Sequence, residues 1–290
     1  MRAIKFLAGV LLTIMLASNL QAQCSQQSLR IAVIPKKSVA VLMKDHQPLL
    51  DRLGDELSMP VELVPASSYE SVIDAIVSGG VDIAALGPAA YLLAHQRDSR
   101  IEPFASLTIN KGYFTPAGHH YQSLLLVRRN SDFDLSELRG KRGALSDPAS
   151  TSGSVVPNAE FSDLVGMPLR QFFGSLVYTG SHDKSLDALL EGRVDSAFVA
   201  SEHADAYLNT GRIDRDTFDV LWRSNNIYYD PYVFSGRLCP EYKARIRKAL
   251  LEDQEELAGF LASQDASGFA PVSHAEYAPL LVMMPGQSED

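Results

Sequence analysis

Short apolar runs alternate with longer segments of helical spacing along the first part of the chain. Runs rich in β-branched residues predict strands, and apolar residues repeating every three or four positions predict helices. The predicted strands are Leu29–Ile34, Val61–Val64, Asp82–Leu86 and Ile101–Leu107. The predicted helices are Val41–Leu57, Tyr69–Val77 and Tyr91–Gln96. Strands that alternate with helices across short Gly and Pro turns predict βαβ units and a largely parallel sheet.

The same alternation starts again near residue 121. The predicted strands are Tyr121–Arg128, Arg142–Leu145, Ser175–Tyr178, Asp195–Val199 and Asp219–Arg223. The predicted helices are Val155–Leu164, Lys184–Glu191 and Glu202–Thr210. In addition, the motif Gly79-Gly80-Val81-Asp82 returns as Gly192-Arg193-Val194-Asp195. This internal repeat predicts an α/β protein of two lobes.

The last part of the chain predicts a return to the first lobe. Tyr232–Phe234 has the pattern of a strand, and Pro240–Leu261 has the pattern of a long amphipathic helix opened by proline. We therefore expect lobe one to comprise residues 23–120 plus 232–290, and lobe two to comprise residues 121–231. A chain that leaves one lobe and returns needs two crossing strands. We expect Tyr121–Arg128 to be the first of them, and this geometry predicts a hinge.

The first residues have the pattern of a secretory signal peptide. Basic residues precede the apolar run Phe6–Leu16, and Ala22 lies at a plausible cleavage point. We therefore expect residues 1–22 to be removed and the mature protein to be periplasmic; the alternative is an uncleaved membrane anchor. An oxidising compartment permits a disulfide between Cys24 and Cys239. Whether the two cysteines are close enough is left open by the sequence.

Charge and motifs argue against several classes of function. The net charge of the chain is −9, and loss of Arg2 and Lys5 with the signal peptide makes it −11. Nucleic-acid binding is not expected, because it needs a clustered Lys/Arg face. The sequence has no Walker loop, no Gly-x-Gly-x-x-Gly and no His-Glu-x-x-His. We therefore expect neither a cofactor nor a metal site.

A cluster of small hydroxylated residues follows the predicted strand Arg142–Leu145. The segment Ser146–Pro157 contains Ser146, Ser150, Thr151 and Ser152, followed by Gly153. Hydroxyl donors and free backbone N–H groups at the start of a helix can bind a tetrahedral oxyanion without a formal positive charge. The helix dipole favours the same negative charge. The alternative is an ordinary N-cap, in which Ser150 or Thr151 caps a helix over Val155–Leu164.

Other polar side chains also follow predicted strands, at the ends where α/β sheets bind ligands. His182 follows the strand that ends at Tyr178, and one ring nitrogen can donate to an anion while Asp183 or a backbone group holds the other. The alternative is a surface histidine that caps a helix. Tyr69 and Tyr121 each offer a phenol donor, and the alternative for both is a packing role.

Glu202 and Asp230 are acids near the same strand ends. Beside a bare oxyanion they would be repulsive, so they fit a ligand that also carries a cation such as an amine. The alternative is that both face solvent.

A hydrolase is the enzymatic alternative. Ser152, His182 and either Asp183 or Asp195 supply the residue types of a nucleophile, a base and an orienting acid. However, the Gly-x-Ser-x-Gly elbow is missing from the sequence. We therefore expect a binding protein and not an enzyme.

The hydroxyl segment also carries a family resemblance. Asp147-Pro148-x-Ser150-Thr151-Ser152-Gly153, followed by Pro157, resembles the anion-binding motif of the PhnD-like phosphate/phosphite/phosphonate-binding proteins of ABC importers. Further matching segments are Tyr121-x-Ser123, Leu138-Arg139-Gly140-Lys141, Gly180-Ser181-His182-Asp183, Gly192-x-Val194-Asp195 and Gly268-Phe269 with Tyr277. The similarity extends from about Leu29 to Leu281.

The resemblance implies a type II periplasmic binding fold that holds a phosphonyl group between its lobes. It implies phosphonyl contacts from Ser150, Thr151, Ser152 and His182, closure by Tyr69, and a cleft-lining position for Tyr121. In members that take aminoalkyl phosphonates, two acids hold the amine, and Glu202 and Asp230 fall in those positions. The implied function is a monomeric periplasmic protein that delivers a phosphonate-like oxyanion to an ABC permease. The alternative partner is a membrane sensor kinase.

Overall fold

The computed structural model describes Cys24, residues 26–131 and residues 133–284. Strands β1 (Leu29–Val33), β2 (Val61–Val64), β3 (Ile83–Ala85), β4 (Glu102–Ile109), β12 (Pro231–Phe234) and β13 (Ala266–Pro271) form the first sheet. Their order across this sheet is β13-β4-β12-β3-β1-β2. The predicted signal peptide, like the anchor that is its alternative, lies outside the described residues. Within the described ranges, no helix combines the length and apolar character needed to cross a membrane.

The second sheet repeats the first. It contains β6 (Ser123–Arg128), β7 (Arg142–Leu145), β8 (Ser175–Tyr178), β9 (Ser196–Ala200) and β10 (Phe218–Arg223). Their order is β10-β6-β9-β7-β8. The run β2-β1-β3-β12-β4 in the first sheet matches β8-β7-β9-β6-β10 in the second, strand for strand. The predicted pair of repeated α/β lobes is therefore confirmed.

The expectation of largely parallel sheets is wrong. Parallel pairing joins β1 to β2 and β3, and β7 to β8 and β9. Strand β12 is antiparallel to both of its neighbours, and so is β6. Each of these two strands enters its sheet from the other lobe. Because no crossover helix precedes them, the constraint that makes βαβ neighbours parallel does not apply to them.

Helices cover the faces of both sheets. In the first lobe they are Val39–Leu57, Tyr69–Ser78, Pro88–Arg97, Pro240–Leu251 and Ala258–Ser263. In the second lobe, wide π-type turns over Thr151–Val155 and Pro157–Phe161 continue into Ser162–Val165, followed by Leu169–Phe172, His182–Leu190 and Ser201–Asn209. Short 3-10 turns occupy Arg129–Ser131, Gln254–Leu257, His274–Glu276 and Ala278–Met283.

The single helix predicted over Pro240–Leu261 is wrong in its middle. The helix ends at Leu251, because Gln254 turns toward the edge strand β13. Its Oε1 accepts from the backbone N–H of Phe269 at 2.7 Å, and its Nε2 donates to the carbonyl of the same residue at 2.9 Å. The side-chain amide thus makes the same pair of hydrogen bonds to Phe269 that the backbone of a neighbouring strand would make.

The two lobes are connected by a separate two-stranded ladder. Strand β5 (His120–Tyr121) pairs antiparallel with β11 (Ile227–Tyr228), outside both large sheets. The first crossing is therefore not one strand over Tyr121–Arg128, since Gln122 separates β5 from β6. The second crossing runs through β11 into β12, which joins the first sheet, as expected for Tyr232–Phe234. Because the crossings are bonded to each other, they hold the lobes beside a common cleft.

Cys24 and Cys239 form a disulfide, with their Cα atoms 5.9 Å apart. Cys239 is also the N-cap residue of the Pro240–Leu251 helix. The bond therefore ties the start of the described chain to a late helix of the first lobe. The pairing that the sequence left open is the one the structure has.

Candidate functional site

All of the predicted ligand-binding residues line one small cavity between the lobes. About 180 Å³ of space, part of it open to solvent, lies between these residues. Its walls are formed by the predicted set, Tyr69, Tyr121, Ser150, Thr151, Ser152, His182, Glu202 and Asp230, together with Ile34, Lys36 and Gly87. Ser150, Thr151, Ser152 and His182 are each at most 2% exposed. These side chains are therefore buried, and donors reach the cavity from both lobes.

Ser150 caps the helix that opens the site. Its side chain accepts from the N–H of Gly153 at 3.1 Å, so the predicted cap is present, and the residue also lines the small cavity. The sequence predicts a helix start at Val155, but the helix begins at Thr151. Gly153 has to be small, because a Cβ there would lie 2.9 Å from the Ser150 hydroxyl oxygen. The first helical N–H groups lack acceptors within the helix, which leaves donors at the cavity wall.

His182 is held in one tautomer. The backbone N–H of Ala200 lies 3.2 Å from Nδ1, and the Ser146 hydroxyl lies 2.9 Å from the same atom. Because a backbone N–H can only donate, Nδ1 is the acceptor and the ring proton belongs to Nε2. Burial lowers the pKa of His182 well below 6.5, and the neighbouring His203 and Lys36 lower it further. The ring is therefore neutral at pH 7, and its one N–H, on Nε2, faces the Ser150 hydroxyl at the cavity wall.

The hydroxyl of Ser150 is oriented by the same network. Its oxygen accepts from Gly153 and from Nε2 of His182, which lies 3.3 Å away. With these two contacts its lone pairs are occupied, so its own proton is available to a ligand oxygen. Of the two holders predicted for His182, the backbone group is correct and Asp183 is wrong. Asp183 instead contacts Nδ1 of His203 at 3.1 Å.

Thr151 links the lobes directly. Its hydroxyl oxygen accepts from the N–H of Ala89 at 2.9 Å, in the first turn of the Pro88–Arg97 helix of the first lobe. The hydroxyl proton remains free to donate into the cavity. A Cβ at Gly87 would lie 3.3 Å from this hydroxyl oxygen, so the glycine permits the close approach. The structure therefore represents a closed cleft.

Two buried tyrosines complete the donor set. Burial raises the pKa of the Tyr69 phenol and raises that of Tyr121 well above 10.0, so both keep their protons. The Tyr69 hydroxyl is buried near the Ser150 hydroxyl, but it makes no hydrogen bond of normal geometry to any of the described residues. A buried hydroxyl without a hydrogen bond lowers the stability of the fold, and a ligand oxygen in the cavity would supply the missing acceptor.

The acids are paired with a lysine that the sequence reasoning missed. Nζ of Lys36 forms an ion pair with Asp230 and lies 3.6 Å from Oε1 of Glu202. It also lies 5.5 Å from the centre of the Tyr229 ring. The alternative that both acids face solvent is wrong, since their side chains are only 13% and 10% exposed for Glu202 and Asp230, respectively. Lys36 comes shortly after β1, at the carboxyl end of a strand like the predicted site residues. This position is the sequence feature that could have identified it as a site residue.

Burial and the neighbouring charges shift the pKa values of Lys36 and Glu202 in ways that have different consequences for their charges. By itself, burial lowers the pKa of Lys36, but Asp230, Tyr229, Glu202 and Tyr121 together raise it well above 10.5. Burial raises the pKa of Glu202, although Lys36 opposes that shift. Lys36 is therefore a permanent cation, whereas Glu202 takes up a proton more readily than an exposed glutamate does.

A second and larger cavity adjoins the first. It comprises about 960 Å³ of space, part of it open to solvent, and shares Ile34, Lys36, Glu202 and Asp230 with the small cavity. It lies between the first-lobe helix Val39–Leu57, which contributes Leu42 and His46, and the second-lobe helix Ser201–Asn209. The Lys36 group therefore forms part of the wall between the two spaces.

The arrangement does not support the hydrolase alternative. Nδ1 and Nε2 of His182 face Ser146, Ala200 and Ser150. Ser152, the proposed nucleophile, is not among these partners. Asp195 is bonded to Arg142, with a shortest contact of 2.7 Å, and so orients no catalytic histidine.

Comparisons with known proteins give the family. A sequence model described as ABC transporter, phosphonate, periplasmic substrate-binding protein matches residues 31–277. The chain is 26% identical over 270 residues to the phosphate-import protein PhnD of Mycolicibacterium smegmatis, covering 87% of this chain and 83% of that protein. It is 26% identical over 236 residues to the phosphonates-binding periplasmic protein of Escherichia coli, covering 80% and 68%, respectively.

Solved structures share the fold. A binding protein component of an ABC phosphonate transporter from Pseudomonas aeruginosa superimposes with a TM-score of 0.80 at 23% identity, covering 89% of this chain and 85% of that one. PhnD1 from Prochlorococcus marinus in complex with methylphosphonate gives 0.78 at 18% identity, covering 89% and 97%. The family match spans most of the chain, including every predicted site residue. The protein therefore belongs to the phosphonate-binding family of periplasmic substrate-binding proteins of ABC transporters.

Proposed function

We propose that the small cavity binds the tetrahedral head of a phosphonate, phosphite or phosphate-like oxyanion for delivery to an ABC permease. The observation that carries this proposal is the convergence of neutral donors on one buried space. The donors are the hydroxyls of Ser150, Thr151 and Tyr69; His182 lines the same space and donates its Nε2–H to the Ser150 oxygen, which directs the Ser150 proton to the ligand. In a site that excludes water, such donors stabilise negative charge strongly. We assign Ser152 and Tyr121 to the same ligand shell.

Binding follows from closure of the lobes. The second lobe supplies the Ser150 helix and His182, so it takes up the oxyanion first. The first lobe then adds Tyr69 and brings Ala89 to the Thr151 hydroxyl. We assign residues 23–120 plus 232–290 and residues 121–231 to the two moving bodies, with the β5–β11 ladder as the hinge.

The family gives the setting of this activity. Its members are substrate-binding proteins and not enzymes, so the role of the chain is capture and delivery. We propose that residues 1–22 direct export, that the mature protein works as a monomer in the periplasm, and that the permease receives the closed form. Loss of phosphonate uptake on deletion of the gene, measured with the permease intact, tests delivery against a sensing role.

A ligand panel tests the proposal. Purified protein is titrated calorimetrically with methylphosphonate, phosphite, phosphate and sulfate, and melting temperatures are recorded with each compound. We expect at least one phosphorus oxyanion to bind and to raise the melting temperature, because it binds only the folded state. Absence of binding by every phosphorus oxyanion would refute the proposal. Equal binding of sulfate would remove the assignment to phosphorus ligands.

A further inference from the structure

Two carboxylates border the proposed oxyanion site, and this arrangement calls for a cation. Glu202 and Asp230 line the same cavity as the neutral donors. A bound dianion beside two unbalanced carboxylates would be repelled at short range. Either the ligand brings a positive charge, or the protein supplies one.

The protein supplies one. Lys36 follows β1 in the first lobe, Glu202 lies in the Ser201–Asn209 helix of the second, and Asp230 lies between β11 and β12. Nζ of Lys36 forms an ion pair with Asp230 and lies 3.6 Å from Oε1 of Glu202, so the ammonium is close to both carboxylates. Its side chain is 18% exposed, which makes this a position inside the cleft and not a solvent-facing pair.

The lysine neutralises one of the two carboxylates without a cationic ligand. Lys36 and Asp230 cancel, which leaves Glu202 as the remaining acid. Because burial raises the pKa of Glu202, this acid takes up a proton more readily than an exposed glutamate does, and protonation would remove the last negative charge. A protonated Glu202 would add one more donor for the oxyanion.

We propose that Lys36 is a built-in counter-cation that occupies the place of a ligand amine, so that the site selects phosphorus oxyanions without an amino group. This inference rests on the proposed function and narrows its substrate class. An aminoalkyl phosphonate would have to bring its ammonium against Lys36 and displace it from Asp230. Methylphosphonate, phosphite and phosphate place no cation there.

The test compares two ligands of the same heavy-atom skeleton. 2-Aminoethylphosphonate and n-propylphosphonate differ at their terminal group, which is an ammonium in one and a methyl in the other. Affinities of wild type for both, and for methylphosphonate, are measured by calorimetry. We expect 2-aminoethylphosphonate to bind about tenfold or more weakly than n-propylphosphonate, as befits a like-charge contact in a desolvated site. Tighter or equal binding of the amine would overturn the inference.

Substitution of the lysine gives the second arm. Lys36→Met keeps the length of the side chain and removes its charge, and we expect it to shift the ratio of the two affinities toward the amine by about tenfold or more. Lys36→Arg keeps the charge, and it should retain the wild-type order. An unchanged ratio in Lys36→Met would overturn the inference. If Lys36→Met does not fold, the ratio of the two affinities in the wild type decides whether the inference holds. If the wild type binds neither 2-aminoethylphosphonate nor n-propylphosphonate, the inference requires that Lys36→Met and Lys36→Gln bind the first of these and not the second.

Failure of this inference is distinct from failure of the proposed function. If methylphosphonate, phosphite and phosphate all fail to bind the wild type, the oxyanion site itself is wrong. If one of them binds and 2-aminoethylphosphonate binds at least as well as n-propylphosphonate, the oxyanion site stands and only the role of Lys36 is wrong.

Discussion

Substitution of Ser150 by alanine removes a hydroxyl that both caps a helix and faces the ligand cavity. A hydrogen bond to a charged acceptor contributes about 1.5–3 kcal/mol. Since about 1.4 kcal/mol corresponds to a factor of ten, Ser150→Ala should weaken oxyanion binding by about 10- to 150-fold. The lost cap costs about 1 kcal/mol of unfolding free energy. For a chain of this size, that lowers the melting temperature by about 2–4 °C.

Ser154→Ala is the matched control. Ser154 lies in the same helix, is 3% exposed, and bonds through its hydroxyl to the Tyr178 phenol at 3.1 Å. It does not line the small cavity. Calorimetry with the tightest oxyanion, together with thermal melts, should show Ser154→Ala with the affinity of wild type. If Ser150→Ala folds and binds as tightly as this control, the hydroxyl does not contact the ligand and the reasoning about the site is refuted.

Other consequences are open to simple measurements. Tyr69→Phe removes a hydroxyl without a protein partner, so calorimetry should show about tenfold weaker binding, while an unchanged affinity would exclude it from the site. Reducing the Cys24–Cys239 bond should cost about 2–4 kcal/mol of stability, seen as a lower melting temperature; an unshifted melt would contradict this. Because the pKa of His182 is lowered on folding, its contribution is complete above pH 6.5 and falls as the pH drops below it. His182→Gln should melt with a weaker acid dependence than wild type, and identical pH profiles would contradict the buried neutral ring.

Local patterns were sufficient for several strands and for the residues that line the small cavity. Strand runs such as Val61–Val64 and Arg142–Leu145 have the predicted bounds, because alternation and β-branched content act within a few residues. The repeated Gly-x-Val-Asp motif predicted two similar lobes, and the sheets have the same strand order. The hydroxyl cluster predicted a cap at Ser150, which the structure has, and it also lines the cavity for which we propose anion binding.

Two of the errors lie where a distant segment decides the local structure. The helix after Pro240 ends early because Gln254 bonds to Phe269 on the edge strand, a contact that periodicity does not reveal. Strand β6 runs antiparallel because it arrives from the other lobe. In both places, a long-range hydrogen bond overrides the local preference.

The sequence by itself determined which residues carry the donors; only the tertiary structure decided the charge of the cleft. The presence of Glu202 and Asp230 in the sequence indicated that a positive charge lies beside them. No residue next to either of them in the sequence showed that this charge is Lys36. The return of the chain through β12 brings Asp230 beside Lys36, far away in sequence, and the closed cleft adds Glu202. Electrostatic pairing depends on distance and burial, and folding alone sets both.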